Sequence, residues 1–188
     1  VVDRAAKYVA EGHKTIIYTD GPALCDRLAS MLEARGIEVV TFHGGKTINA
    51  RTKELNKRFR NGSAQVLIAS KMTVQTGLNL WHASRGIVAA RDWSAVVEDQ
   101  CVGRMDRPQQ TRDVHVDYPN LVGSVDDYQH QMVAMKGAGA SAALDFTEIA
   151  GVADVEFKHM DAMLHEFVEG FAALRGMKGY QLREALVA

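Results

Sequence analysis

The chain has 188 residues, enough for one domain with a sizeable core plus an appendage. Its 47% apolar and 24% charged residues are those of an ordinary globular protein, and a formal net charge of −1 excludes a globally basic nucleic-acid binder, so any phosphate-binding surface has to be a local patch. No apolar run approaches the roughly 18 residues of a membrane span, and Cys25 and Cys101 stand far apart outside any C-x-x-C pair, which predicts buried thiols in a reducing compartment and no metal site.

The start, Val1-Val-Asp-Arg, has no signal-peptide pattern and no initiator Met. It suggests an intracellular piece of a longer protein, cytoplasmic or, in a eukaryote, nuclear, and not secreted. Residues 3–12 predict a short lead-in helix that stops at Gly12. Thr15-Ile-Ile-Tyr-Thr19 is a buried strand ended by Asp20-Gly21-Pro22. From Ala23 to Arg35 the apolar positions Leu24, Leu28, Met31 and Leu32 recur at helical spacing, and Gly36 closes that helix. Glu38–Phe42 is a second strand leading into His43-Gly44-Gly45. Asn49 to Asn61 is a basic helix with Leu55 and Phe59 inward, and Arg51, Lys53, Lys57, Arg58 and Arg60 mostly outward. Ala64–Ala69 is a third strand, followed by a polar loop and Gly77-Leu-Asn-Leu80. Gly86–Ala90 is a fourth strand, residues 95 to about 104 a helix, and Val114–Tyr118 a fifth strand.

Strands alternating with helices predict a doubly wound α/β fold, a mainly parallel sheet with helices on both faces. Function in such sheets gathers in the loops beyond the carboxyl ends of the strands. The loops at Asp20, His43, Ser70 and Asp92 all follow a predicted strand, so they should share one edge. After Pro119 the character changes. A helix is expected over 125–136, a small-residue link over 137–143 and an amphipathic helix over 156–174 whose apolar stripe suits packing. The expected organisation is an α/β domain over 1–140 and a helical extension over 141–188.

Gly45-Lys46-Thr47 imitates the end of a phosphate-binding P-loop, but the glycine that should open that loop is replaced by Val40. No G-x-G-x-x-G follows the first strand either. The chemistry is carried instead by a series. Ser70 to Leu80 is a polar loop ending in Gly77-Leu-Asn79-Leu80. Arg91-Asp-Trp93 puts an aromatic just past a strand. Gln100 then opens the run Gln100-Cys-Val-Gly-Arg104-Met-Asp-Arg107-Pro-Gln-Gln110. Two arginines three apart point the same way on a helix or tight turn. Paired guanidiniums suit phosphate oxygens, although a lone R-x-x-R is ordinarily a solvated face.

In order and spacing these stretches resemble the second, RecA-like motor lobe of superfamily-two helicases and translocases, most closely the Swi/Snf-like branch. The resemblance runs from about Lys14 to about Lys136. Thr15–Asp20 resembles motif IV, Ser70–Leu80 motif V, and Gln100–Gln110 motif VI. His43-Gly-Gly45 resembles an H/D-G element, and Gly123–Tyr128 the start of a closing brace helix. Gly103, Pro108 and His43 depart from the Swi/Snf pattern. The resemblance implies that ATP and Mg²⁺ are held mainly by a first RecA-like lobe of the same protein. It implies catalytic roles for Arg104 and Arg107, as arginine fingers on the γ-phosphate, and for Gln100, which orients nucleotide or finger. Gly77 and Asn79 would lie by the nucleotide. Thr19, His43, Gly44, Gly45, Lys46, Ser70 and Lys71 would contact DNA through its phosphates, independent of sequence. Helix 49–61 either extends that surface or is a solvated face. The fragment alone is expected to be inactive. The alternative is a non-catalytic nucleic-acid-binding or protein-interaction module that keeps the fold.

Overall fold

Thr15–Thr19 is buried at every position, and the strand built from it, β1, runs through the centre of a five-stranded sheet. In the computed structural model the described residues are 1–74, 77–92, 94–121 and, beyond these, 126, 129, 130, 133, 168–170, 172, 173 and 176. Chain order is α1 (Val2–Ala10), β1, α2 (Pro22–Glu33), β2 (Val39–Phe42), α3 (Ile48–Glu54) running on as a π-helical segment (Leu55–Arg60), β3 (Val66–Ser70), α4 (Lys71–Val74), β4 (Arg85–Val88), α5 (Ala95–Val102) and β5 (His115–Asp117). The sheet order is β2-β3-β1-β4-β5 and all four pairings are parallel. Apart from Ala95, the first residue of α5, these elements lie in one compact unit, Val1–Asp92 with Val96–Pro119.

Period-two alternation divides the core between the two faces of the sheet. Ile17, Val39, Val66, Ile68 and Ile87 pack with Val2, Tyr8, Cys25, Leu28 and Leu32 of α1 and α2. Ile16, Tyr18, Val40, Phe42, Leu67 and Val88 pack with Leu55, Phe59, Leu80, Cys101 and Met105. The strands fall within a residue or two of their predicted spans. Three local expectations need correction. In α2 the inward stripe is Cys25, Leu28, Ala29 and Leu32, whereas Leu24 and Met31 are exposed. The polar loop after β3 begins as the short helix α4. The helix carrying the first arginine approach ends at Val102, so Arg104 sits in a turn.

Trp93 and the link over 137–143 lie outside the described residues. So do the brace element at 123–128 and the helices expected over 125–136 and 156–174, apart from isolated helical positions such as Asp126 and Val133. No helix among the described residues is long and apolar enough to cross a membrane.

One polar clasp ties the lead-in helix to the edge strand. Asp117 accepts from Arg4 Nε at 2.6 Å, from Arg4 Nη2 at 3.1 Å and from Tyr8 Oη at 2.6 Å. Chiefly because of the Arg4 hydrogen bonds, the Asp117 carboxyl is held down to about 2. Its folded value is below its unfolded one, so this stabilisation is fully present above about pH 4 and is lost as pH falls towards 2. The melting temperature of the wild type should exceed that of Asp117→Asn by a constant margin above about pH 5, and the margin should close between about pH 4 and pH 2. A margin that stays constant down to pH 2 would remove Asp117 from the clasp.

Candidate functional site

Because the strands are parallel and in register, Thr19 and Ser70 are partners at the ends of β1 and β3, and Phe42 of β2 pairs with Ala69. The Asp20, His43, Lys71 and Asp92 loops therefore meet along one edge. The side chains there turn inward more than their polarity suggests. Thr19 is fully buried, with its hydroxyl 2.9 Å from Cys25 Sγ. Ser70 is buried and donates to the Asp20 carbonyl at 3.3 Å. Lys71 is 2% exposed. Its ammonium lies 2.6 Å from Asp20 Oδ1, 3.6 Å from Asp92 Oδ2 and 2.7 Å from the Ala90 carbonyl. A buried ammonium needs such countercharges, because desolvating it alone costs several kcal/mol. Thr19, Ser70 and Lys71, expected to contact DNA, are thus already engaged within the protein. They knit the loops of β1, β3 and β4 together.

The His43 loop is more open. The His43 ring is buried, its Nδ1 accepting from Gly45 N at 3.2 Å, which leaves the proton on Nε2. That Nε2 lies 3.2 Å from Asp26 Oδ1 but is poorly aligned for a hydrogen bond. Gly44 and Gly45 are exposed. Lys46 pairs with Glu54 at 2.8 Å, and Thr47, the end of the false P-loop, caps α3 by accepting from Ala50 N. The basic helix spends its arginines on packing. Arg51 lies over the Phe42 ring, Arg58 pairs with Glu38, and Arg60 reaches Asn56 and the Asn79 carbonyl. Lys53 and Lys57 are the exposed cations of that helix, so the solvated-face alternative fits it better than an extended phosphate patch.

Leu80 N donates to the Arg104 carbonyl at 2.9 Å, which fixes the Gly77–Leu80 segment beside the arginine turn. Gly77 has φ +96°, and a Cβ there would meet nothing within 4 Å, so its glycine serves conformation rather than close approach. Asn79 and Gln100 are exposed. Met105 is fully buried between the two arginines and roots the turn in the core. Downstream, Gln110 Nε2 donates to the carbonyls of Trp81 at 2.9 Å and Ala83 at 2.8 Å. Sequence reading noted the glutamines but not this staple, which depends on a return of the chain over nearly thirty residues.

Arg104 and Arg107 are both half-buried. Arg107 makes no side-chain hydrogen bond or ion pair among the described residues, and its Nε is buried without a partner. A half-buried guanidinium with no internal acceptor is suited to an incoming anion. Burial pushes the Cys101 thiol up to about 11 and raises that of Cys25, so neither is a thiolate nucleophile near neutral pH. Sequence reading placed Arg91 and Asp92 in a loop just past a strand but gave neither a partner: Asp92 shares the Lys71 cage, and Arg91 forms an ion pair with Glu98 at 2.6 Å.

Residues 2–109 match the helicase conserved C-terminal domain family. The DNA repair protein RAD5A of Arabidopsis thaliana is 29% identical over 149 residues, 79% of this chain and 14% of its own length. The helicase swr1 of Schizosaccharomyces pombe is 33% identical over 118 residues, 62% of this chain and 9% of its own. The helicase SWR1 of Mycosarcoma maydis is 30% identical over 105 residues, 56% of this chain and 6% of its own. The chain thus spans only 6 to 14% of the length of these relatives. Among solved structures, the C-terminal part of the Fun30 ATPase domain superposes with a TM-score of 0.68 at 18% identity, over 88% of this chain and 50% of that one. At that identity the likeness shows the fold.

Proposed function

We propose that this chain, which belongs to the helicase conserved C-terminal domain family and is a Swi/Snf-like C-terminal lobe, is one half of an ATP-driven DNA motor and supplies the arginines that complete its ATP site. The observation that carries this reading is the half-buried guanidinium of Arg107, without an internal acceptor among the described residues, on a turn pinned beside Gly77–Leu80.

ATP and Mg²⁺ would be gripped by a first lobe. When the two lobes close, Arg107 and Arg104 would meet the γ-phosphate. Their planar donors match its equatorial oxygens and stabilise the charge that builds there as the phosphoryl group leaves. Gln100, exposed on α5, would orient nucleotide or finger, with Gly77 and Asn79 near the ribose. DNA would be held through its backbone by the Gly44 and Gly45 amides and Lys46. Thr19, His43 and Ser70 shape those loops from behind, and Lys71 would reach a phosphate only by leaving its carboxylates. Contacts of this kind carry no base information and suit a motor that travels along any sequence.

The purified chain alone should hydrolyse no ATP at any DNA concentration; steady hydrolysis by a clean sample would sink the one-lobe reading. In the protein carrying both lobes, Lys46→Ala should weaken duplex binding equally on different sequences. It should reduce the slope of log K against log salt by about one. An unchanged slope would take Lys46 off the DNA.

A further inference from the structure

Among the described residues Glu98 is the deepest carboxylate, 2% exposed, and it stands in the first turn of α5, six residues ahead of Arg104. Its oxygens accept from Arg91 Nε at 3.2 Å, Arg91 Nη2 at 2.6 Å and the Asp92 amide at 2.8 Å. The Arg91 guanidinium in turn lies 4.8 Å from the Tyr118 ring centroid, just beyond β5. One buried side chain thus fastens the start of α5 to the exit of β4 and, through Arg91, to the exit of β5.

A buried ion pair is a weak source of net stability, because desolvating both charges offsets most of their attraction. It does restrict geometry, since a bidentate pair satisfied at three donors has few ways to sit. The segment it restricts is the one that ends in the arginine turn. That turn is held from its other side by the Gln110 staple, by Leu80 N and by Met105. With the upstream end loose, α5 could slide or rotate on the sheet while the downstream contacts stayed made. A misplacement of about 1 Å is enough to cost about a hundredfold in rate.

We infer that Glu98, acting through Arg91, is a positioning residue for the arginine pair: it sets where Arg104 and Arg107 arrive when ATP is presented, without touching ATP. This rests on the motor reading above. The same geometry places the Asp92 amide on Glu98 and the Asp92 carboxylate near Lys71, so the clamp is also anchored in the loop cage.

The test uses the protein carrying both lobes, with DNA-stimulated ATP hydrolysis, ATP-analogue affinity and melting temperature measured on each variant. Glu98→Gln keeps the shape but loses the charge, and Arg91→Lys keeps the charge but loses the fork. Both should lower kcat about tenfold or more while KM for ATP stays within about threefold. Melting should fall by several degrees, because either change leaves a buried charge poorly matched, while the fold and analogue affinity should hold. Full kcat in both variants overturns the inference. So does a loss of kcat that tracks a collapse of melting temperature or analogue affinity in both, which would make the pair structural only. Arg107→Ala is run beside them: if it too turns over at the wild-type rate, the motor reading fails and this inference falls with it. A dead Arg107→Ala beside fully active clamp variants overturns the inference alone.

Discussion

Arg107→Ala, introduced into the protein that carries both lobes, is expected to reduce DNA-stimulated ATP hydrolysis by about 10³-fold or more while ATP-analogue binding changes only a few-fold. The size follows from the setting of the side chain. The half-buried guanidinium has no internal acceptor among the described residues to give up, so a phosphate that reaches its fork makes a charge-assisted bond with little reorganisation. The nucleotide would be gripped mostly elsewhere, so the loss should fall on kcat rather than on binding. Arg104→Ala should behave alike, because its backbone is fixed to Leu80 and its side chain leaves the same turn. Lysine should rescue neither, since a point charge does not replace a planar fork. Steady-state kinetics with an ATP-analogue titration decides it: turnover within tenfold of wild type in either alanine variant would show that the arginine is not a finger.

Much of the fold was legible because its signals are local. β1, β2 and β3 are runs of β-branched and apolar residues, and their boundaries follow from turn residues such as Asp20-Gly21-Pro22. The stripe of α2 was harder. Cys25 and Ala29 are small enough to lie under the helix, so the larger Leu24 and Met31 are left outside, and a count of big apolar residues finds Leu28 and Leu32 but misses the other half of the stripe. The motif order exposed the arginine turn, yet not its state. Lys71 reads in sequence as a phosphate contact, and its cage is hidden because the carboxylates that bury it, Asp20 and Asp92, lie about fifty residues before it and about twenty after it. Glu98 stands two residues before Gln100, in the approach to the arginine motif, with no partner legible in sequence. Its role appears only when β4 and β5 place Arg91 and Tyr118 around it. Pairings of that range are set by sheet order, and sheet order is where a linear reading stops.

Gly86→Val is expected to lower both stability and turnover, and it links the fold to the arginines most directly. Gly86 lies in β4 between β1 and β5, paired with Ile16 on one side and Val116 on the other. A Cβ there would stand 3.1 Å from Val116 Cγ2 and 3.3 Å from Met105 Sδ, tighter than ordinary packing. Alanine would require those neighbours to give by a few tenths of an ångström. Valine adds two more methyl groups to filled space, an overpacking that costs about 1–3 kcal/mol. That corresponds to a melting temperature lower by roughly 2–4 °C per kcal/mol in a protein of this size. The flexible thioether of Met105 is the neighbour most able to move. Met105 is also the root of the turn between Arg104 and Arg107, so kcat in the two-lobed protein should fall further than the lost stability accounts for. Met105→Ala makes room. Combined with Gly86→Val it should melt higher than the sum of the single effects predicts, a positive coupling of about 1 kcal/mol in a double-mutant cycle. A Gly86→Val variant that melts and turns over like wild type would show slack beneath the arginine turn, and Met105 could then not be what fixes the arginines in place.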